Sequence, residues 1–191
     1  MGRTLLTLIA AFLAHPLSAE ATSVVKFSFD SLCETSKRIA HVTCISSEVV
    51  ETEDGIRTRT RFRVMEGVKG SVGQQFEIAL PGGHLGDRRV TVPGVPTFEA
   101  GEETVLFLSE PDGTGSRWPV GLGQGCYHVV ADEAEGRSVR LQRGATPIPD
   151  GALFKPAGGR VYRVELKAFL DKVRETVGEE VVDRQSEDGV K

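Results

Sequence analysis

Between residues 56 and 108 the chain alternates between polar and apolar positions. Arg57, Arg59, Arg61 and Arg63 share one parity, and Thr58, Thr60, Phe62 and Val64 share the other. A two-residue period is what a strand with one wet face and one buried face requires. Gly67-Val68-Lys69-Gly70 predicts a turn, Phe76, Ile78 and Leu80 predict a second alternating strand, and Pro81-Gly82-Gly83 ends it. Residues 84–96, punctuated by glycine and proline, predict a loop. Phe98 then leads through a turn at Glu99-Ala100-Gly101-Glu102-Glu103 into Thr104-Val105-Leu106-Phe107-Leu108. That last run is apolar on both parities apart from Thr104, the pattern of a central strand.

The same reading extends in both directions. Residues 39–50 predict a first long strand, folded onto the arginine strand by a hairpin turn at Glu53-Asp54-Gly55. Before it, residues 30–37 predict a short helix with Asp30 as its cap. Downstream, strands are expected at 118–122, 127–131 and 139–141, with Gly136 turning the chain between the last two, followed by a Pro/Gly loop over 144–159. Leu166, Phe169, Leu170, Val173 and Val177 recur at three- and four-residue steps, so the final element is a helix, and Gly178 stands where a helix stops. Residues 179–191 predict a frayed, mainly acidic tail. About six strands between two helices describe a mainly β fold: a small closed or partly open barrel rather than a layered α/β enzyme.

The first residues predict export. Arg3 gives a positive start, residues 5–14 form an apolar core, Pro16 interrupts it, and Ala19-Glu20-Ala21 offers small residues where a signal peptidase reads. The apolar run is shorter than the roughly 20 residues a membrane-spanning helix needs. No Cys follows it at a lipid-attachment position. The expected organisation is therefore a signal peptide over 1–21, one β domain over 22–178 and a tail over 179–191, with a secreted or periplasmic destination. No later segment reaches transmembrane length.

Composition narrows the function. A formal net charge of -4 argues against nucleic acid as a partner, which needs a concentrated positive field. Aromatic residues make up only 6% of the chain, too few for a base-stacking platform or an aromatic sugar-binding strip. In an oxidising compartment three cysteines, Cys33, Cys44 and Cys126, predict one disulfide and one remaining thiol. Cys44 shares its parity with Ala40 and Val42 and should face the core, while Cys126 alternates out of phase with Tyr127 and Val129; the pairing expected from this is Cys33–Cys126.

The order Arg61-Phe62-Arg63-Val64-Met65-Glu66-Gly67-Val68-Lys69-Gly70, then Phe76-Glu77-Ile78, then Phe98-Glu99-Ala100-Gly101-Glu102 leading to Val105-Leu106-Phe107-Leu108, looks like a V-x-E-x-x-K-G … F-x-x-G-E-x-x-L-x-F signature. It resembles the OB-like β-barrel of netrin-like modules and of the N-terminal domain of tissue inhibitors of metalloproteinases, and a large set of exported bacterial proteins carries it too. The resemblance covers residues 39–108, with a weaker continuation through Gly125-Cys126-Tyr127-His128-Val129. It implies the barrel only. Those inhibitors act through a Cys at the mature N-terminus that chelates the protease zinc, whereas here the mature chain is expected to start near Thr22 and the first Cys is Cys33.

Catalytic patterns are sparse. His41, His84 and His128 remain after loss of His15 with the signal, and neither His-Glu-x-x-His nor Cys-x-x-Cys occurs. Cys126 and His128 share one strand face, with His41 a candidate for the corresponding face of the first strand; surface histidines are the ordinary alternative. No Gly-x-Ser-x-Gly elbow is present, and the glycine runs at 82–83 and 121–125 lack the helix and Lys-Ser/Thr of a phosphate cradle. No metal and no cofactor is expected. The feature above background is the arginine stripe, a ladder about 20 Å long at ordinary strand rise. Arg57, Arg59, Arg61 and Arg63, extended by Arg88 and Arg89, form the candidate binding face for an anionic surface or for an exported protein such as a protease or an envelope component. The plainer alternative is a solvated outer strand face paired with neighbours such as Glu77. The expected function is a non-enzymatic, exported binding module; the alternatives are a hydrolase or metal-dependent enzyme with an unrecognised site, or an inert structural envelope protein.

Overall fold

The computed structural model describes residues 25–132, 136–142, 146–149, 155–157 and 161–188, and side chains only as far as residue 178. The expected signal peptide over 1–21 and the last three residues of the expected tail lie outside the described residues. The chain is mainly β, with two α-helices. Helix α1 (Phe29–Thr35) precedes strands β1 (Arg38–Thr52), β2 (Gly55–Lys69), β3 (Gln75–Pro81), β4 (Gly83–Leu85), β5 (Arg88–Val90) and β6 (Glu103–Leu108). A 3-10 turn (Leu122–Gly125) leads to β7 (Cys126–Asp132), β8 (Gly136–Gln142), β9 (Lys155–Ala157) and β10 (Val161–Glu165), and helix α2 (Leu166–Asp188) follows. Among the described residues no helix is long and apolar enough to cross a membrane.

Eight strands form one antiparallel sheet in the order β3-β2-β1-β6-β7-β8-β10-β9, and β4 and β5 form a separate hairpin. The order is open: among the described residues no ladder joins the edge strands β3 and β9, and the strand count exceeds the six expected. Three register shifts interrupt the β1–β2 ladder, at Ile39/Ala40, His41/Val42 and Cys44/Ser46. Such bulges bend a ladder and sharpen its twist.

The alternation sorts two cores onto the two faces. One face carries Ile39, Val105, Phe107, Tyr127, Val139, Leu141 and Val164, covered by Phe29, Leu32 and Cys33 of α1 and by Phe169, Leu170 and Val173 of α2. The rings of Phe107 and Phe169 lie 5.3 and 4.8 Å from that of Tyr127, whose hydroxyl donates to Pro147 O. The opposite face carries Ala40, Val42, Cys44, Phe62, Ile78, Leu80, Leu106, Leu108 and Cys126, with Phe98 and Trp118 brought over them by loops. As read from its apolar run, β6 is central, between β1 and β7, with residues 105–108 buried on both parities.

Several local expectations are corrected. The α1 cap is Ser28, not Asp30: the Ser28 hydroxyl accepts from Ser31 N–H, and the Ser31 hydroxyl accepts from Ser28 N–H. The other end of α1 is closed by Lys69 Nζ, which donates to the carbonyls of Cys33 and Glu34. That contact requires β2 to continue through the expected 67–70 turn, and the chain reverses only at Gly70. There φ is +67° and a Cβ would stand 2.4 Å from Lys37 O, so the turn needs glycine. Part of the expected 84–96 loop is the β4–β5 hairpin. Residues 118–122 are not a strand; they make one bridge, Pro119 to Leu108, and then enter the 3-10 turn. Helix α2 runs on past Gly178 to Asp188. Within 144–159, residues 155–157 are a strand.

The cysteines do not pair as expected. No disulfide is formed among Cys33, Cys44 and Cys126. Cys33 lies under the helices and Cys126 on the other side of the sheet, so the β-sheet itself separates the two sulfurs. Cys44 does face the core beside Ala40 and Val42, as its parity indicates.

Candidate functional site

The arginine ladder is laid out by the β2 pleat. Thr60 and Phe62 are buried while Arg59, Arg61 and Arg63 are exposed, with Arg57 half-buried. Cross-strand register puts Ala79 and Glu77 of β3 beside Arg59 and Arg61, and Glu48 and Ser46 of β1 on their other flank. Arg59 Nε lies 2.9 Å from one Glu77 oxygen and Arg61 lies 3.7 Å from the other. Arg57 reaches Asp54 Oδ2 at 3.3 Å and donates to Ala79 O. Arg63 continues the row opposite Thr43. Nearby, Glu66 of β2 pairs with Arg174 of α2, so the helical cover begins where the ladder ends.

Arg88 and Arg89 do not extend this ladder. Arg88 pairs with Glu51 at 2.6 Å, and Glu51 is the cross-strand partner of Ile56, on the face opposite the arginines. Arg89 and His84 line a small cleft of about 240 Å³ over Thr58 and Leu80, on that same opposite face. The β4–β5 hairpin folds back there because Gly82 and Gly83 let the chain pass within contact of Val90, Val49 and Thr58.

A second constellation, missed in the sequence, lies on the helix-free face over β6, β7 and β8. Register aligns Val42, Thr104 and His128 in one row, and on the next strands Arg140 stands opposite Arg163. His128 Nδ1 contacts Glu102 Oε1, while Glu102 Oε2 accepts from Glu99 N–H. Glu102, Cys126, His128 and Arg140 floor an open groove of about 930 Å³, walled by residues 94–97, by Glu99 and Ala100 and by the 3-10 turn. Gln124 locks the turn to the N-terminal segment: its Oε1 accepts from Phe27 N–H and its Nε2 donates to Val25 O, which brings Lys26 to the rim. The signal for this row was the shared parity of Cys126 and His128; its partners come from the flanking strands and from the turn before β6, which parity within one strand cannot reveal.

Titration shifts describe what these groups can do. Burial and the nearby Glu102 carboxylate push the Cys126 thiol far above the ordinary range, and its Sγ donates to Leu122 O. Burial, then Glu102, raises Cys44 as well. Neither thiol is set up as a nucleophile, which acts as thiolate. His41 is on the helix-covered face, not beside His128, because it pairs with Val105 whereas His128 pairs with Thr104. Its Nε2 lies 3.0 Å from Glu103 Oε2, and Arg137 lies 3.2 Å from the other Glu103 oxygen. Burial holds the His41 pKa below its usual value against the opposing pull of Glu103. Among the described residues no three His, Cys, Asp or Glu side chains are grouped to hold a metal ion. Comparison with protein-family models, with curated proteins and with solved structures finds no match to this chain.

Proposed function

We propose that this chain is an exported, non-enzymatic binding module that docks an anionic partner surface on the β2–β3 face bearing Arg57, Arg59, Arg61 and Arg63. One observation carries the reading: Arg59, Arg61 and Arg63 stand exposed in a row on one sheet face, and a single carboxylate, Glu77, is shared by the first two. A shared carboxylate leaves net positive charge on the row, and guanidinium groups in fixed register suit carboxylate or phosphate oxygens. The relationship to the OB-like barrel of netrin-like modules is part of the proposal. It is supported by the long bulged β1, the two-sided core and the helices gathered on one face, and the buried position of Cys33 within α1 fits a module that uses the barrel without the inhibitor chemistry. The test is retention of the mature chain on immobilised heparin and on phosphatidylglycerol vesicles across a salt series. Salt-sensitive binding that is lost in Arg59→Glu/Arg61→Glu supports the docking face; equal binding by the variant refutes it, and no binding by either protein favours an inert envelope role.

A second reading, hydrolysis, is favoured by one contact. Glu102 contacts His128 at Nδ1, and in the tautomer protonated there Nε2 is the ring's acceptor for a proton from water. Turnover of ester or glycoside probes that disappears in His128→Gln would support it.

A further inference from the structure

The groove on the helix-free face plays no part in the docking reading, and its charges are unevenly committed. Each Glu102 oxygen has one partner, His128 for Oε1 and Glu99 N–H for Oε2. Arg140 and Lys26, by contrast, have no partner among the described residues, and Glu99 is the single uncommitted carboxylate on the lining. Thr146, on the lining, has a buried Oγ1 with no partner among the described residues. Val95, Pro96 and Leu122 give the wall an apolar stretch beside the polar Thr97 and Gln124. A volume of about 930 Å³ is that of a small-molecule site.

We propose that this groove binds a small organic acid, its carboxylate facing Arg140 and Lys26 beside His128 and its apolar body lying against Val95, Pro96 and Leu122. The carboxylate supplies the missing counter-charge, and the apolar wall gives the body a place that water fills poorly. A charge-assisted contact of this kind contributes roughly tenfold or more in affinity.

The experiment uses the full chain and three probes in separate arms: sodium octanoate, 1-octanol and inorganic phosphate, each followed by calorimetric titration and by the thermal midpoint. Octanoate is expected to bind and to raise the midpoint, with about tenfold weaker binding in Arg140→Gln and in Lys26→Gln. Arg59→Glu/Arg61→Glu is expected to bind octanoate like the wild type, which separates this site from the docking face. Arg140 is exposed, so its variant should keep the wild-type far-UV spectrum; Lys26→Gln provides an independent reading of the same charge. Failure of octanoate to bind, unchanged affinity in both variants, equal binding of octanol, or equal binding of phosphate would each overturn the proposal.

Discussion

Phe62 and Arg61 are adjacent in sequence and differ completely in what they contribute. The Phe62 ring is fully buried, 5.0 Å from Phe98 in an edge-on contact and 5.5 Å from Phe76. Truncation to Ala leaves a cavity where two other rings meet, and Phe62→Ala is expected to cost about 3–5 kcal/mol in urea unfolding. Arg61, with its side chain 56% exposed and 3.7 Å from Glu77, is expected to change stability by less than about 1 kcal/mol on replacement by Ala. His41 makes a different demand. Its pKa is lowered in the fold by burial, so between that value and the ordinary one near 6.5 the unfolded chain holds more protons than the folded one. Stability should therefore be fully present above about pH 7 and fall as the solution is acidified through that window. His41→Gln, which can still donate to Glu103, should flatten this part of the profile in denaturant titrations run from pH 5 to 8.

Elements whose cause is local were legible in the chain. The β1–β2 hairpin, β3, β7 and β8 follow from alternation bounded by turn residues, β6 from its continuous apolar run, and α2 from its three- and four-residue spacing. Elements whose cause is tertiary were not. β10 (Val161–Glu165) exists because β8 offers it a ladder, and its own sequence runs without a break into the helical pattern that begins at Leu166. Residues 118–122 have strand composition but follow the edge of β6 for one bridge only, because Gly121 and Leu122 then take positive φ and wind the 3-10 turn. Gly125 holds that turn against the sheet: a Cβ there would stand 2.6 Å from Val120 O and 3.0 Å from Phe107 O, both rigid backbone. Gly125→Ala is expected to lower the thermal midpoint and to displace the 3-10 turn, visible as chemical-shift changes at Gly123 and Gln124. No comparable effect is expected for Gly113→Ala, whose Cβ would meet open space.

Across the whole molecule the sheet acts as a partition. One face is sealed by α1 and α2, its β2–β3 continuation bears the arginine ladder, and the other face holds the second core and the groove. Parity along β2 located the ladder from sequence, but it could not place Arg88 and Arg89, whose side of the sheet depends on how the β4–β5 hairpin folds back over Thr58. The same partition explains why Cys33 and Cys126 remain apart. Because the ladder side chains point away from both cores, Arg59→Glu/Arg61→Glu should unfold within about 1 kcal/mol of the wild type while losing anion binding, so that function and fold separate cleanly. The most direct measurement is a map of amide chemical shifts in the 15N-labelled chain during titration with a short heparin oligosaccharide. Expected are perturbations concentrated at residues 57–63 and at Glu77 and Ala79, fading as salt is raised. Perturbations confined to the groove residues, or none at the ladder at low salt, would contradict the docking face.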